Sequence, residues 1–245
     1  MAVPRFYFPS ALTREVIGQS IELPAAAAHH AVRVVRLAVG DALTLFDGTG
    51  GEYAATLVRV ERNDVAARVD SFDPVERESP FSVTLAQAIA ANDAMDYAVR
   101  KAVELGVTAL QPLVTERSAP LPSGERGDKR LAHWRGIAVA ACEQCGRNRI
   151  PPVAPPAPWK EWLLAWKGAA IVPVPGATTS LAALPRPAPP IAIAVGPEGG
   201  FTEREIDAAR AAGWQAVSLG PRVLRTETAA AAALAAVQVL WGDLQ

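Results

Sequence analysis

Residues 191–202 read Ile-Ala-Ile-Ala-Val-Gly-Pro-Glu-Gly-Gly-Phe-Thr, and this stretch decides the fold. It begins with an apolar run without alternation, which is typical of a strand buried on both faces of a parallel sheet. A glycine-rich turn follows, and Thr202 and Glu205 then have the spacing of a capping box, which marks the first turn of a helix. A strand, a tight turn and a helix in this order form the repeating unit of an α/β domain.

The same alternation extends over residues 81–245. Asn92 is expected to cap the first helix of this region and Gly106 to end it. Strands are predicted at residues 83–89, 109–114, 170–174, 191–195 and 216–219, and helices at residues 92–105, 128–145, 159–166, 203–212 and 227–241. This order predicts a parallel sheet that is covered by helices on both faces.

The first part of the chain has a different pattern. Short segments with alternating or β-branched residues occur at residues 41–46, 52–60 and 65–69, and the sequence Asp47-Gly48-Thr49-Gly50-Gly51 is typical of a hairpin turn. One helical stretch, residues 24–36, interrupts them. We therefore predict a small β-barrel over residues 1–71, a polar linker bracketed by prolines over residues 72–80, and an α/β domain over residues 81–245.

The composition is that of an ordinary globular protein, since 50% of the 245 residues are hydrophobic and 20% are charged. Disordered and fibrous classes are thereby excluded. No apolar run approaches the roughly 18 residues of a membrane span, and the first residues lack the pattern of a signal peptide. We expect a cytoplasmic protein without a membrane partner.

The net charge of −1 means that a nucleic-acid partner would need a local basic patch. Residues 100–149 contain nine lysines and arginines against five acidic residues, a net charge of +4. Such clustering is typical of phosphate contact, although a solvated helix face would have the same pattern.

Cys142 and Cys145 form a C-x-x-C spacing that admits a redox or a zinc interpretation. The pair lies deep in a predicted helix, whereas a redox pair opens one, and the three histidines show no ligand spacing with it. Free thiols on a buried helix face are favoured, and no metal site is expected.

Three predicted strands end in loops rich in glycine and proline, which begin at residues 175, 196 and 220. Ligands of open α/β sheets bind outside the carboxyl ends of strands, so these loops predict a pocket. Glu198 lies within one of them, and a carboxylate about 4 Å from a phosphate would cost on the order of 4 kcal/mol. A cation-bearing ligand such as S-adenosylmethionine is favoured, the alternative being a tight turn without a ligand.

Short motifs along nearly the whole chain match one known family, and the last two together are the most specific: residues 5–7, 29–36, 40–41, 46–48, 101–107, 116–118, 141–148, 196–201 and 219–229. With them the chain resembles the bacterial 16S ribosomal RNA uridine N3-methyltransferases, the ribosomal RNA small subunit methyltransferase E family. This resemblance implies a PUA-like β-barrel, then a SPOUT-type α/β methyltransferase domain with a C-terminal deep trefoil knot. It further implies S-adenosylmethionine as cofactor, 16S ribosomal RNA or the 30S subunit as substrate, and a homodimer. Residues 90–96 lack the basic lysine-containing segment that is common in the family.

Methylation of uridine N3 requires loss of its proton, because only the anion presents a usable lone pair. A positive group near the uracil oxygens would stabilise that anion, and we assign this role to Arg225. Glu227 or Glu198 would orient Arg225 or accept the proton. The alternative is an arginine–carboxylate clamp that holds the loops together.

The residues expected to bind the cofactor lie at the three strand ends: Val174, Gly196, Pro197, Gly199, Gly200, Leu219, Gly220, Leu224, Thr226 and Thr228. Those expected to contact RNA are basic: Arg5, Arg33, Arg36, Arg117, Arg147 and Arg149. Two other functions stay open at this point, an α/β enzyme for a different nucleotide or small molecule and a non-catalytic RNA-binding module.

Overall fold

A computed structural model describes residues 3–61, 64–120 and 124–244. The chain divides into two compact units. Unit 1 contains Met1–Glu78 and Cys142–Ile150, and unit 2 contains Ser79–Ala141 and Pro151–Gln245.

Unit 1 is built on a five-stranded sheet with the order β1-β3-β4-β5-β2. Its strands are β1 (Arg5–Tyr7), β2 (Ser20–Glu22), β3 (Ala42–Phe46), β4 (Glu52–Val60) and β5 (Val65–Asp73), and only β1 pairs in parallel, with β3. The predicted hairpin between β3 and β4 is confirmed. Between β2 and β3, helix α1 (Ala25–His29) continues as a π-helix (His30–Val35). Phe6, Leu43, Leu45 and Leu57 are fully buried and form the centre of the core.

Three charged residues of the segment predicted to be a linker form ion pairs within unit 1. Glu76 pairs with Arg149 at 3.1 Å, Arg77 pairs with Glu52 at 2.9 Å, and Glu78 pairs with Arg147. Two of these pairs connect the segment to residues 142–150. The charged residues of this polar segment therefore connect separate stretches of the chain within unit 1.

Unit 2 contains a six-stranded, entirely parallel sheet with the order β11-β9-β10-β6-β7-β8, as the sequence predicted for this region. The strands are β6 (Val83–Ala88), β7 (Ala109–Val114), β8 (Ala157–Pro158), β9 (Ala169–Pro173), β10 (Ile191–Val195) and β11 (Gln215–Val217). The helices are α2 (Asn92–Glu104), α3 (Glu125–Cys145), α4 (Trp159–Ala165), α5 (Glu203–Ala211) and α6 (Thr226–Trp241), and the last four residues of α3 fall in unit 1. All five residues of β10 are buried.

The expected cap of α2 was wrong by one residue. Ala91 is the N-cap residue, and Asn92 already belongs to the helix. The backbone N–H of Ala91 donates to Glu198 Oε1 at 2.8 Å, so a carboxylate distant in sequence fixes the start of α2. Among the described residues, no helix is long and apolar enough to cross a membrane.

Candidate functional site

A cavity of about 730 Å³ lies in unit 2 at the carboxyl ends of β9, β10 and β11. Of the residues predicted to bind a cofactor, Thr228 is outside the lining and exposed on α6. The others all line the cavity: Val174, Gly196, Pro197, Gly199, Gly200, Leu219, Gly220, Leu224 and Thr226. The structure thus brings the three predicted loops together around one space.

The glycine-rich loop requires its glycines at two positions for different reasons. A Cβ on Gly196 would lie 2.8 Å from the backbone nitrogen of Phe201, so no side chain fits inside this turn. Gly200 has a φ of +67°, a left-handed conformation that favours glycine. Its N–H donates to the carbonyl of Pro197 at 2.8 Å and closes the turn.

The glycine-rich loop is held by contacts from neighbouring loops of unit 2. Arg117 Nη1 donates to the carbonyl of Gly199 at 2.7 Å, and the Thr226 hydroxyl donates to the carbonyl of Gly196 at 2.5 Å. The Ala91–Glu198 bond described above is a third connection. The loop is therefore pre-organised before any ligand is bound.

Glu205 explains how α5 begins at the edge of the cavity. The predicted capping box is confirmed, since Thr202 Oγ1 accepts from the Glu205 N–H while Glu205 Oε2 accepts from the Thr202 N–H at 2.8 Å. Its other carboxylate oxygen accepts from the backbone N–H of Glu116 at 3.0 Å. The buried carboxylate of Glu205 thus holds both the start of α5 and the loop after β7.

One face of α5 lines the cavity and was missed by the sequence interpretation. Its residues are Glu203, Ile206, Asp207 and Arg210. Their spacing of three, one and three residues places them on one side of a helix. The capping box fixes where α5 starts, so this spacing was a usable signal. Asp207 pairs with Arg210 at 3.0 Å, while Glu203 adds negative charge to the wall.

The three residues assigned to catalysis occupy different places. Glu198 lines the cavity and is exposed, with one oxygen engaged by Ala91. Arg225 is the exposed N-cap residue of α6, and Glu227 is half-buried in the first turn. The residues that flank Arg225, Leu224 and Thr226, line the cavity. Within the described ranges neither Arg225 nor Glu227 forms an ion pair, so the clamp considered above is not observed there.

The arginines predicted to contact RNA divide into exposed and buried groups. Arg33 and Arg36 are exposed at the end of the π-helix, where Arg36 has a left-handed backbone with a φ of 65°. The Arg149 side chain is 56% exposed despite its pair with Glu76. Arg117 is exposed but donates to the glycine-rich loop. These side chains are accessible to a phosphate.

Arg5 and Arg147 instead lie inside unit 1. Arg5 pairs with Glu52 and donates to Asn148 Oδ1 at 2.6 Å, and Arg147 pairs with Glu78. Burial alone would raise the pKa of Glu52, but hydrogen bonds from Arg77 and Arg5 and their charges outweigh it, so this pKa lies below its ordinary value. Both arginines therefore contribute to the packing of unit 1.

The paired cysteines are free thiols, Cys142 buried and Cys145 half-buried. Burial raises the pKa of Cys142 to about 12, which keeps it protonated and a poor nucleophile. No cluster of three histidine, cysteine, aspartate or glutamate side chains suited to a metal ion occurs in the part of the chain that the structure describes.

Comparison with known families gives two matches. Residues 23–70 match the family described as an RNA methyltransferase PUA domain, and residues 77–238 match the family described as an RNA methyltransferase domain. Both matches confirm the predicted order of a PUA-like domain followed by an α/β methyltransferase domain with a parallel sheet.

Named relatives cover nearly the whole chain. The ribosomal RNA small subunit methyltransferase E of Buchnera aphidicola is 32% identical, over 99% of this chain and 98% of its own length. A crystal structure of the Neisseria gonorrhoeae protein of that name, bound to S-adenosyl methionine, is 41% identical with a TM-score of 0.91 and full coverage of both chains. A Legionella pneumophila protein solved with the bound cofactor SAM is 38% identical with a TM-score of 0.95, again over both full chains.

Proposed function

The chain belongs to the ribosomal RNA small subunit methyltransferase E family, and on that premise we propose that it methylates N3 of a uridine in 16S ribosomal RNA with S-adenosylmethionine as methyl donor. The observation that carries this proposal is the cavity at the strand ends, which is lined by the two glycine-rich loops that begin at Gly196 and Gly220. Relatives solved with the cofactor support the same ligand.

The residues of the cavity fit S-adenosylmethionine. The volume of about 730 Å³ is in the range of small-molecule sites, which is roughly 300–1,000 Å³. Glu198 and Glu203 supply negative charge suited to a ligand that carries a sulfonium and an ammonium, and Arg222 offers a partner for its carboxylate. Gly220 lines the cavity, and a Cβ there would meet nothing within 4 Å, so the wall leaves room for a flat adenosine at this point. When bound, the cofactor supplies an electrophilic methyl group.

The chain's own residues then act on the uridine. Arg225, exposed beside the cavity-lining Leu224 and Thr226, holds a positive charge where the N3 anion develops. Glu227 in the first turn of α6, or the Glu198 carboxylate through the oxygen not bonded to Ala91, accepts the N3 proton. The position of Arg225 at a helix N-terminus adds the favourable end of the helix dipole for an anion.

RNA binding in this proposal uses the exposed arginines rather than bulk charge. Arg33, Arg36 and Arg149 in unit 1 and Arg117 in unit 2 contact phosphates of 16S ribosomal RNA, naked or in the 30S subunit, in the cytoplasm. We extend the proposal to a homodimer, supported by apolar residues exposed at the end of α6 and beyond it: Val239, Leu240 and Leu244. A trefoil knot around the cofactor loops is part of the same proposal.

Two measurements test the proposal. Calorimetry with S-adenosylmethionine should show micromolar binding, and 30S subunits from cells that lack the gene should gain N3-methyluridine, detected by nucleoside mass spectrometry, when incubated with the protein and cofactor. Absence of cofactor binding would favour a different small-molecule enzyme or a non-catalytic RNA-binding module. Cofactor binding with a different methylated nucleoside would overturn the substrate assignment alone.

A further inference from the structure

Gln87 is a buried polar side chain at the end of β6 that the proposed reaction does not use. It is 1% exposed, and the rest of β6 is almost entirely apolar. Its Nε2 donates to the carbonyl of Ala88 at 3.0 Å and to the hydroxyl of Thr226 at 2.9 Å. Its Oε1 is buried and has no hydrogen-bond partner among the described residues.

The hydrogen bonds of Gln87 and Thr226 form a series that runs from Gln87 through Thr226 to Gly196, with the donor of each bond determined. The Thr226 hydroxyl has a single hydrogen, and it donates that hydrogen to the carbonyl of Gly196 at 2.5 Å. Thr226 can therefore only accept from Gln87. The chain connects the end of β6, the first residue of α6 and the first residue after β10, and hydrogen bonds in such a series strengthen one another. Gly196 and Thr226 both line the cavity.

This arrangement costs stability. A buried carbonyl oxygen without a partner has lost its hydrogen bonds to water and gained none in the protein. Methionine has a similar length, fills the same space and brings no polar atom that needs a partner, although the two hydrogen bonds that Nε2 donates are lost with the amide. Packing alone therefore does not explain a glutamine at residue 87, and buried groups of this kind call for a specific explanation.

We propose that Gln87 is a positioning residue of the cofactor site: through Thr226 it fixes the carbonyl of Gly196 and the N-terminus of α6, and so aligns the two glycine-rich loops and Arg225 against the cofactor. The proposal rests on the function proposed above. It assigns a role to a residue that contacts neither cofactor nor uridine.

Gln87→Met tests the role, with Gln111→Met as the matched control. Gln111 is a buried glutamine on the adjacent strand β7 whose Nε2 likewise donates to the next carbonyl, that of Pro112, but it lies outside the cavity lining. We expect Gln87→Met to keep the wild-type melting temperature or raise it, by up to about 5 °C. We expect its dissociation constant for S-adenosylmethionine to rise about tenfold, while the affinity of Gln111→Met stays within about twofold of wild type.

Thr226 provides the second test and covers the case in which Gln87→Met does not fold. Thr226→Val removes the hydroxyl with little change in shape, and Thr226→Ser keeps it. The valine variant should lose cofactor affinity like Gln87→Met, the serine variant should restore most of it, and the double variant Gln87→Met, Thr226→Val should lose no more than either single variant.

The outcomes separate the two proposals. If wild type does not bind S-adenosylmethionine, the proposed function fails. If wild type binds it and Gln87→Met and Thr226→Val bind equally well, the positioning role alone is overturned. A loss of affinity that merely follows a loss of melting temperature, of the same size in Gln111→Met, would also overturn it, since that is the signature of general destabilisation.

Discussion

Arg147 and Glu78 form an ion pair in the interior of unit 1, with side chains 5% and 18% exposed. Arg147 Nε donates to both carboxylate oxygens at 3.1 Å. In the sequence, Arg147 lies in a basic cluster that suggests phosphate contact. In the structure, its neighbour Arg149 is the more accessible of the two arginines. The two arginines should therefore respond differently to the same substitution.

Arg147→Ala should destabilise the protein by about 3 kcal/mol, the lower end of the range for a buried pair, because the Glu78 carboxylate, 18% exposed, loses its partner. Arg149→Ala should change stability by less than about 1 kcal/mol, since its pair with Glu76 is largely exposed. Urea unfolding measures both.

The RNA-binding test of the same pair uses salt dependence. Arg149→Ala should lower the slope of log affinity against log salt by about one unit if Arg149 contacts a phosphate. A slope equal to that of wild type would remove Arg149 from the RNA surface.

Gly196→Ala should weaken cofactor binding at least tenfold, on the order of 1.4 kcal/mol. The added Cβ would lie 2.8 Å from the Phe201 nitrogen, and backbone cannot give way as a flexible side chain can. Gly136→Ala in α3 is the matched control, because a Cβ there meets nothing within 4 Å and should stabilise the helix by about 0.5–1 kcal/mol. Calorimetry and thermal unfolding of both variants measure these effects. An unchanged affinity of Gly196→Ala would contradict the inference that the glycine-rich loop is pre-organised for the cofactor.

The parts of the fold that local patterns determine were predictable. Strand β10 falls at the predicted residues because proline and glycine bound its apolar run, strand β7 also falls at its predicted residues, and the capping box fixed the start of α5. Contacts between distant residues were not predictable. Nothing near Arg147 in the sequence indicates Glu78 as its partner, and Gln87 reads only as one polar residue in a buried strand.

Acid should destabilise unit 1 through Glu52. Its pKa is lower in the folded protein than its ordinary value of 4.5, so the charged form favours folding. The resulting stability is fully present above the ordinary pKa and is lost as the pH falls through the lower, folded value. Wild type should therefore exceed Glu52→Gln in unfolding free energy at pH 7, and the gap should narrow below about pH 4.5. Glu15→Gln, at an exposed position, should show a small gap at every pH in the same urea titrations. If the difference in unfolding free energy between wild type and Glu52→Gln did not depend on pH, the stabilisation would not come from the charge of Glu52.

Arg225→Lys separates transition-state chemistry from cofactor binding. Lysine keeps the positive charge but lacks the planar fork of the guanidinium, so a charge that must sit beside the uracil oxygens in a fixed geometry is misplaced. Turnover should fall about a hundredfold, the scale of losing one preorganised charge-stabilising donor. Affinity for S-adenosylmethionine should change little, because Arg225 lies outside the cavity lining and forms no ion pair within the described residues.

Single-turnover methyl transfer at saturating RNA and cofactor, read beside calorimetric affinity, measures the two effects separately. A structural clamp would give the opposite pattern, since loosening the loop between β11 and α6 would lower cofactor affinity and melting temperature together. A near-normal rate, or a loss fully explained by weaker cofactor binding, would exclude the catalytic role assigned to Arg225. If the rate alone falls, the guanidinium acts on the developing uridine anion, and Glu227→Gln and Glu198→Gln in the same assay then identify the carboxylate that accepts the proton.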